Sequence, residues 1–325
     1  MLGGGAERAW MIERVCVVGA GVIGSLFAAH LARVARVSIL CRREEHARAL
    51  NEQGLRVTGR HEFAARVDAV TDPADLPDAD LTIVATKATE LEDAAARLEG
   101  RLPRTAIMTV QNGLGAEDVV RRHGHWPLIS AVTFMSGTRH SDTHVEYILD
   151  TETWLGPYEG TPFERVQEAG KLIEESGLKV EVLSDLQPAQ WSKLIFNATV
   201  NGVAALTGLP HDRSFAARET ASDLGHLVYE LMEEGKRVAA AAGIELHDDP
   251  WEMNVHATQR GSAHYPSVLE DVEARRPTEI ELINGSLVRE AERAGVAAPF
   301  HTALYRLVKA KEVSWNVNPR TPPRA

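Results

Sequence analysis

Cysteine is scarce in this chain: 325 residues hold two, Cys16 and Cys41, both in apolar, strand-like surroundings. That scarcity excludes a disulfide scaffold and suits a reducing compartment. No run of about 18 apolar residues occurs, so no segment reads as membrane-spanning. The opening Met1-Leu2-Gly3-Gly4-Gly5-Ala6-Glu7-Arg8 lacks the apolar core of a signal peptide, which makes the cytosol the default location. Positive charge is also short, with 35 Lys and Arg against 46 Asp and Glu and a net charge of −11. A general nucleic-acid binder needs the opposite balance to displace counterions. The surplus of acid reads as a solubility device and leaves room for a local basic pocket. Metal motifs are missing too: there is neither H-E-x-x-H nor a close Cys/His cluster. His123 with His125, and His140 with His144, read as loop or surface residues, so no metal is expected.

What is present is the composition of a folded soluble protein, 44% hydrophobic and 25% charged. A chain of this length buries large cores without disulfides or metals, and about 150 residues per domain suggests two domains. The first half alternates short β-branched runs with helical patterns. Val15–Val18, Val37–Leu40, Leu81–Ala85 and Ala106–Val110 read as strands, with helices over Gly19–Arg33 and Glu90–Leu98. Such alternation predicts a doubly wound, parallel α/β sheet of Rossmann type. Strand-like segments follow at Leu128–Phe134, Val145–Leu149, Thr153–Leu155 and Lys179–Leu183, with a helix over Phe163–Ser176. From about Leu186 the period is helical, over 189–206, 215–242, 266–274, 279–294 and 300–312. The expected organisation is therefore a loose leader over 1–12, a Rossmann-type α/β domain over 13–185, an all-helical domain over 186–317 and a Pro-rich tail over 318–325.

Gly19-Ala20-Gly21-Val22-Ile23-Gly24 fits G-x-G-x-x-G between the first strand and the first helix. Gly19 allows the tight turn, Gly21 lets backbone approach a pyrophosphate, and Gly24 lets helix and strand pack closely. The helix N-terminus, with Val22 and Ile23, offers free N–H groups to the phosphates. An NAD site usually ends its second strand with a carboxylate for the ribose. Here that strand ends Leu40-Cys41-Arg42-Arg43, and a guanidinium suits a 2′-phosphate. Lys87, just past the strand Leu81–Ala85, could add a second cation, so NADP(H) is the expected cofactor. The plainer alternative is a solvated charged loop running on into Glu44-Glu45. Cys41 beside Arg42 invites comparison with an oxidation-sensitive thiol, but an inert buried cysteine is the preferred reading.

Lys193, Asn197 and Asn201 recur at spacings of four. On an α-helix they form one stripe, drifting about 40° per step over roughly 12 Å. The neighbours Leu194, Ile195, Phe196, Val200 and Val203 are apolar, so the helix reads as buried and its polar stripe as facing something polar. The alternative is an exposed stripe on an ordinary amphipathic helix. Asn197-Ala198-Thr199 matches a glycosylation pattern but is discarded on the same ground. Thr278 with Glu281 makes a capping box, which puts Glu279 in a first helical turn, where carboxylates are common for dipole reasons alone.

Several separated motifs coincide with one family. The chain resembles the ketopantoate reductases (2-dehydropantoate 2-reductases) from about Arg14 to about Lys311. Carrying the resemblance are the glycine turn, Thr86-Lys87, Gln111-Asn112-Gly113-Leu114-Gly115, Trp191-Ser192-Lys193-Leu194 with Asn197 and Asn201, and Ser267-Val268-Leu269-Glu270-Asp271 leading to Thr278-Glu279-Ile280-Glu281-Leu282-Ile283-Asn284-Gly285. The resemblance implies NADPH-dependent reduction of a 2-keto acid, most directly 2-dehydropantoate to pantoate in pantothenate synthesis. It implies Lys193 as the catalytic lysine that protonates the carbonyl oxygen, and Glu279 as the carboxylate that contacts the substrate's hydroxyl end. Asn197, Asn201 and Ser267 match substrate-contacting positions, Asn112 matches the asparagine between cofactor and substrate, and Arg42 and Lys87 match the cations at the 2′-phosphate. The physics agrees with these roles: a preorganised cation stabilises charge developing on the oxygen, and partial desolvation brings a lysine's pKa nearer to neutral.

Two departures bear on the substrate. Val268 stands where the family usually has methionine, and Glu146-Tyr147 replaces a typical His and Gly in the stretch Thr133–Tyr147. The alternatives are a homologous reductase of another 2-keto acid and, from a different class, a non-catalytic NADP(H) sensor. The long apolar helices leave room for a homodimer, although intramolecular packing explains them equally well. No nucleic-acid or membrane partner is expected.

Overall fold

Val15-Cys16-Val17-Val18 is buried on both sides, and that is what places β1 (Arg14–Val18) at the centre of a sheet. The computed structural model describes residues 11–218, 222–259 and 264–316. Apart from Met11 and Ile12, the leader expected over 1–12 lies outside the described residues, as does the whole tail over 318–325. The chain divides into two compact units. One runs up to Gln111 and resumes over Ala116–Leu186; the other joins Asn112–Gly115 to the chain from Gln187 onward.

In the first unit, α1 (Val22–Leu31) leads to β2 (Arg36–Leu40), α2 (Glu44–Gln53), β3 (Leu55–Gly59), β4 (Phe63–Ala65) and β5 (Asp68–Val70). Next come β6 (Leu81–Val84), α3 (Leu91–Arg97), β7 (Ala106–Thr109), α4 (Ala116–Arg121) and β8 (Leu128–Thr133). The unit closes with β9 (Ser136–Ser141), β10 (His144–Leu149), β11 (Thr153–Tyr158), α5 (Phe163–Glu175) and β12 (Val180–Val182). The main sheet has the order β12-β11-β8-β7-β6-β1-β2-β5 among the described residues. It is parallel except where β11 runs against β8. This is the expected doubly wound architecture: strand order reverses between β1 and β6, and ligands of such sheets bind beyond the strand ends at that reversal.

Its core joins Leu26, Phe27 and Leu31 of α1 to Val15, Val17, Ile39 and Ile83 of the sheet. Each fully buried side chain of this kind contributes about 1.5–3 kcal/mol. The segment Val145–Leu149 is a strand, as expected, but belongs elsewhere. As β10 it pairs with β3 and β9 in a separate sheet of order β4-β3-β10-β9. Its alternation buries Val145 and Tyr147 in the same core as α1. Sequence reading passed over β3, β4, β5, β9, α2 and α4, all short or strongly polar.

The second unit is helical: α6 (Gln187–Thr207), α7 (Asp223–Ala241), α8 (Pro250–Thr258), α9 (Ser267–Glu273), α10 (Asn284–Arg293) and α11 (Pro299–Ser314). The others pack around α6, which is buried over most of its length. The continuous helix expected over 215–242 is not formed. Asp212 accepts the Ser214 N–H at 2.9 Å and starts a short 3-10 turn over Arg213–Ala216. Ser222 then accepts the Gly225 N–H at 3.3 Å and starts α7 separately. Two capping side chains thus open two elements. Helix α8 was missed although its start is legible: Asp249 caps it and Pro250 occupies the first turn. The helix expected over 279–294 begins only at Asn284. No helix among the described residues is long and apolar enough to cross a membrane.

Candidate active site

The glycine turn does what its spacing requires. Gly19 has φ +102°, and a Cβ there would stand 3.0 Å from the backbone of Ala85 and Thr86. A Cβ on Gly24 would lie 1.9 Å from the Gly19 carbonyl oxygen, so helix and turn can close only without a side chain. Around Gly21 the space is open, which leaves backbone accessible to a ligand. Helix α1 starts at Val22 with no capping side chain and no acidic residue in its first turn. The N–H groups and positive dipole end near Val22 and Ile23 are therefore not neutralised from within α1, the condition for holding a phosphate. These residues fit a dinucleotide.

On the same strand ends, Gln111 donates to the carbonyls of Val84 and Thr86 at 2.9 and 3.0 Å, tying the exit of β6 to that of β7. Arg42 follows β2 and is exposed, and its guanidinium pairs with the Glu90 carboxylate. Lys87 is also exposed and immediately precedes the short 3-10 turn Ala88–Glu90. Exposed ion pairs contribute about 0–1 kcal/mol, so Arg42 exchanges Glu90 for another anion at little cost. Cys41 is buried, and burial pushes its thiol up to about 11, which makes it inert. Cys16 is likewise buried and free. No group of three potential metal ligands exists among the described residues.

In the helical unit, α6 carries Lys193, Asn197 and Asn201 on one face, and all three are buried; Lys193 is 8% exposed. An exposed amphipathic stripe is thereby ruled out. Removal from water disfavours the ammonium and brings the Lys193 pKa down to about 8, against the opposing pull of the Glu279 carboxylate. Asn197 donates from Nδ2 to Asn112 Oδ1 at 3.3 Å, bringing two of the expected substrate residues together. Asn201 serves the packing of the helices. Its Nδ2 donates to the Asn197 carbonyl at 3.1 Å, and its Oδ1 accepts the Val268 N–H at 3.2 Å in the first turn of α9. Ser267, half-buried, is the first residue of that helix.

Asn112 reaches this unit through Gly113, whose φ is +99° and whose hypothetical Cβ would lie 1.7 Å from the Leu282 carbonyl oxygen. Leu114 N–H donates to that same oxygen at 3.0 Å. The segment Asn112–Gly115 is thus docked on the turn that carries Glu279. That turn is not the predicted first turn of a helix. The Leu282 and Ile283 N–H groups both donate to the Glu279 carbonyl, and α10 begins only afterwards. The capping box fails because tertiary partners take its members. Thr278 gives its N–H and its hydroxyl to Glu312, at 2.9 and 2.6 Å. Glu281 is engaged by Arg289 and Tyr305 at 2.6 Å each. Sequence reading missed Glu312 altogether, since nothing near Thr278 points to a residue 34 positions away. Gly113 lies within the Gln111–Gly115 motif, but its role follows only from its contact with the distant Leu282 carbonyl.

The family described as ketopantoate reductase PanE/ApbA matches residues 15–160, and its C-terminal part matches residues 185–312. Among curated relatives, the 2-dehydropantoate 2-reductase of Pyrococcus horikoshii is 29% identical over 300 residues, covering 92% of this chain and 97% of that protein. Among solved structures, the 2-dehydropantoate 2-reductase from Methylococcus capsulatus superposes with a TM-score of 0.83 at 29% identity, covering 94% of this chain and 98% of that one. D-mandelate dehydrogenase, solved with NADH and anilino(oxo)acetate, gives a TM-score of 0.80 at 26% identity over 94% of this chain and all of that one. With both parts of the family matched in order along one chain, and the glycine turn and lysine helix built as described, the chain belongs to the ketopantoate reductase family of oxidoreductases.

Proposed function

We propose that this protein reduces 2-dehydropantoate to pantoate with NADPH, using Lys193 as proton donor and Glu279 to hold the substrate and tune that lysine. The observation that carries this reading is the ammonium of Lys193, taken out of water on α6 and balanced by one carboxylate. When bound, the reduced dinucleotide supplies the hydride. Negative charge then develops on the former carbonyl oxygen, and Lys193 meets it with a preorganised cation and passes one Nζ proton to it. A pKa of about 8 leaves the lysine protonated near neutral pH yet a stronger acid than a solvated one. The neutral amine then takes a proton back from solvent. Asn197 and Asn112, already joined by a hydrogen bond, offer amide groups to orient a polar substrate. Glu279 accepts from a substrate hydroxyl, which favours a keto acid that carries one. Gly19, Gly21, Val22, Ile23 and Gly24 would hold the pyrophosphate, and Arg42, in exchange for Glu90, would hold the 2′-phosphate together with Lys87.

A second reading has specific support. The likeness to D-mandelate dehydrogenase with NADH, together with Val268 and the Glu146-Tyr147 departure, favours a relative that reduces a different 2-keto acid. The Arg42–Glu90 pair also places a carboxylate beside the expected phosphate cation, which suits NADH. Purified protein with NADPH or NADH and a panel of 2-keto acids, followed by loss of dihydronicotinamide absorbance, separates the readings. Turnover of 2-dehydropantoate with NADPH supports the first and preference for another keto acid the second. Cofactor binding without any turnover would refute both and leave a sensor. Lys193→Ala is expected to lose most turnover while cofactor binding stays nearly unchanged; loss of both together would contradict its assigned role.

A further inference from the structure

The nine residues from Arg275 to Ile283 carry Glu279 without a regular helix beneath it, so its position depends on side-chain anchors. Arg275 has φ +51°, an uncommon value for a residue with a side chain. Next to it, Arg276 is held by the Asp271 carboxylate, with Nε at 3.0 Å, and its backbone N–H donates to the Asp271 carbonyl at 2.8 Å. Asp271 is itself fully buried on α9. The second anchor is Glu312 on α11. Its carboxylate accepts both Thr278 donors and is flanked by Lys309 Nζ at 2.9 Å. Burial alone would raise the pKa of Glu312, but the Thr278 bonds and Lys309 bring it below the ordinary value, so it stays ionised. Thr278 is the residue immediately before Glu279.

We propose that Glu312 is a positioning residue of the active site: by clamping Thr278 it fixes the Glu279 carboxylate at the distance from which it acts on Lys193. The inference rests on the reading of Lys193 as the proton donor. The chain of effect is short. The attraction between Glu279 and Lys193 falls with distance, and Glu279 directly follows the anchored residue. Releasing Thr278 lets the turn relax and Glu279 retreat, and Lys193 then gives up its proton at lower pH. The other charges around this turn are committed or solvated. Arg276 is held by Asp271, Arg289 by Glu281 and Lys309 by Glu312, while Arg275 is exposed. Glu279 is the carboxylate whose attraction opposes the effect of burial on Lys193.

The experiment compares the pH dependence of kcat/KM for the wild type, Glu312→Ala, Glu312→Gln and Thr278→Val, with Lys193→Ala as control and thermal melts to establish folding. Glu312→Ala is expected to move the alkaline midpoint at least half a unit toward acid and to lower kcat about tenfold. Glu312→Gln loses the charge but keeps an oxygen for both Thr278 donors, so its midpoint should stay close to that of the wild type. Thr278→Val keeps every charge and loses only the hydroxyl, and should give a smaller shift in the same direction. It carries the test alone if Glu312→Ala does not fold. Unmoved midpoints in folded Glu312→Ala and Thr278→Val, with Lys193→Ala inactive, would overturn the clamp and leave the proton donor standing. Equal shifts in Glu312→Gln and Glu312→Ala would overturn it as well, since charge and not tethering would then be the cause. Turnover by Lys193→Ala would remove the proton donor and the clamp together.

Discussion

Raising the pH should switch the reduction off along a limb set by Lys193, and neutralising Glu279 should pull that limb toward acid. With a pKa of about 8, the lysine is about nine-tenths protonated at pH 7 and about one-tenth at pH 9, so turnover falls roughly tenfold over those two units. Two causes set the value, and they oppose each other: burial lowers it and Glu279 raises it. A nearby opposite charge is typically worth about one pKa unit or more. Glu279→Gln should therefore bring the midpoint from about 8 to about 7, cutting the protonated fraction at pH 8 from about one half to about one tenth. The part of the loss that depends on pH should be near fivefold at pH 8 and much smaller at pH 6, on top of a constant factor from the weakened substrate contact. Initial rates of dihydronicotinamide oxidation, at constant ionic strength and saturating cofactor, measure both profiles. A wild-type rate that stays flat to about pH 10, where an ordinary lysine titrates, would refute the reasoning. So would a limb that stays put or rises in Glu279→Gln.

Other consequences are as direct. Arg42→Ala should raise KM for NADPH about tenfold or more and leave KM for NADH almost unchanged; equal effects on both would show that Arg42 does not meet a 2′-phosphate. Gly113→Ala combines a left-handed φ with a Cβ driven into the Leu282 carbonyl, so it should cost about 2 kcal/mol or more in chemical denaturation. It should also depress turnover, because Asn112 and the Glu279 turn move with it. The lowered Lys193 pKa has a sign for stability. Between about pH 8 and the ordinary lysine value near 10.5 the unfolded chain holds a proton that the folded chain has released, so this group's contribution rises with pH through that window. Below about pH 8 its full net cost, on the order of 3 kcal/mol with the opposing pull of Glu279 already included, is present. Lys193→Met combined with Glu279→Gln should consequently melt no lower than the wild type at pH 7 while being inactive. A lower melting temperature would mean that the pair stabilises the fold.

The parts of this protein that could be read from the sequence are those whose physics is local. Gly19 and Gly24 are required by a turn that closes within six residues, so their spacing carries their geometry. The stripe of Lys193, Asn197 and Asn201 follows from helical pitch, and the apolar residues between them announce that the helix is buried. Even the missed start of α8 was available, because an Asp-Pro pair caps and opens a helix within two positions.

Tertiary packing decided the rest, by choosing between partners that local pattern treats as equals. Thr278 had a carboxylate three residues ahead and took one 34 residues away; once α11 delivers the half-buried Glu312, a pair of short bonds there outweighs a solvated capping box. Arg42 was legible as a cation after β2, but its engagement with Glu90, 48 residues on, depended on β2 and β6 flanking β1. Asn112 and Asn197 lie 85 residues apart, and they meet because a glycine at 113 lets the loop press against the Leu282 carbonyl. Sequence alone pointed to the groups proposed to carry the chemistry and to the helix that bears Lys193, but not to the turn that bears Glu279. Where a carboxylate points, and so what it does to a lysine's proton, was settled only when distant segments packed, because electrostatic attraction depends on distances in space that spacing along the chain does not encode.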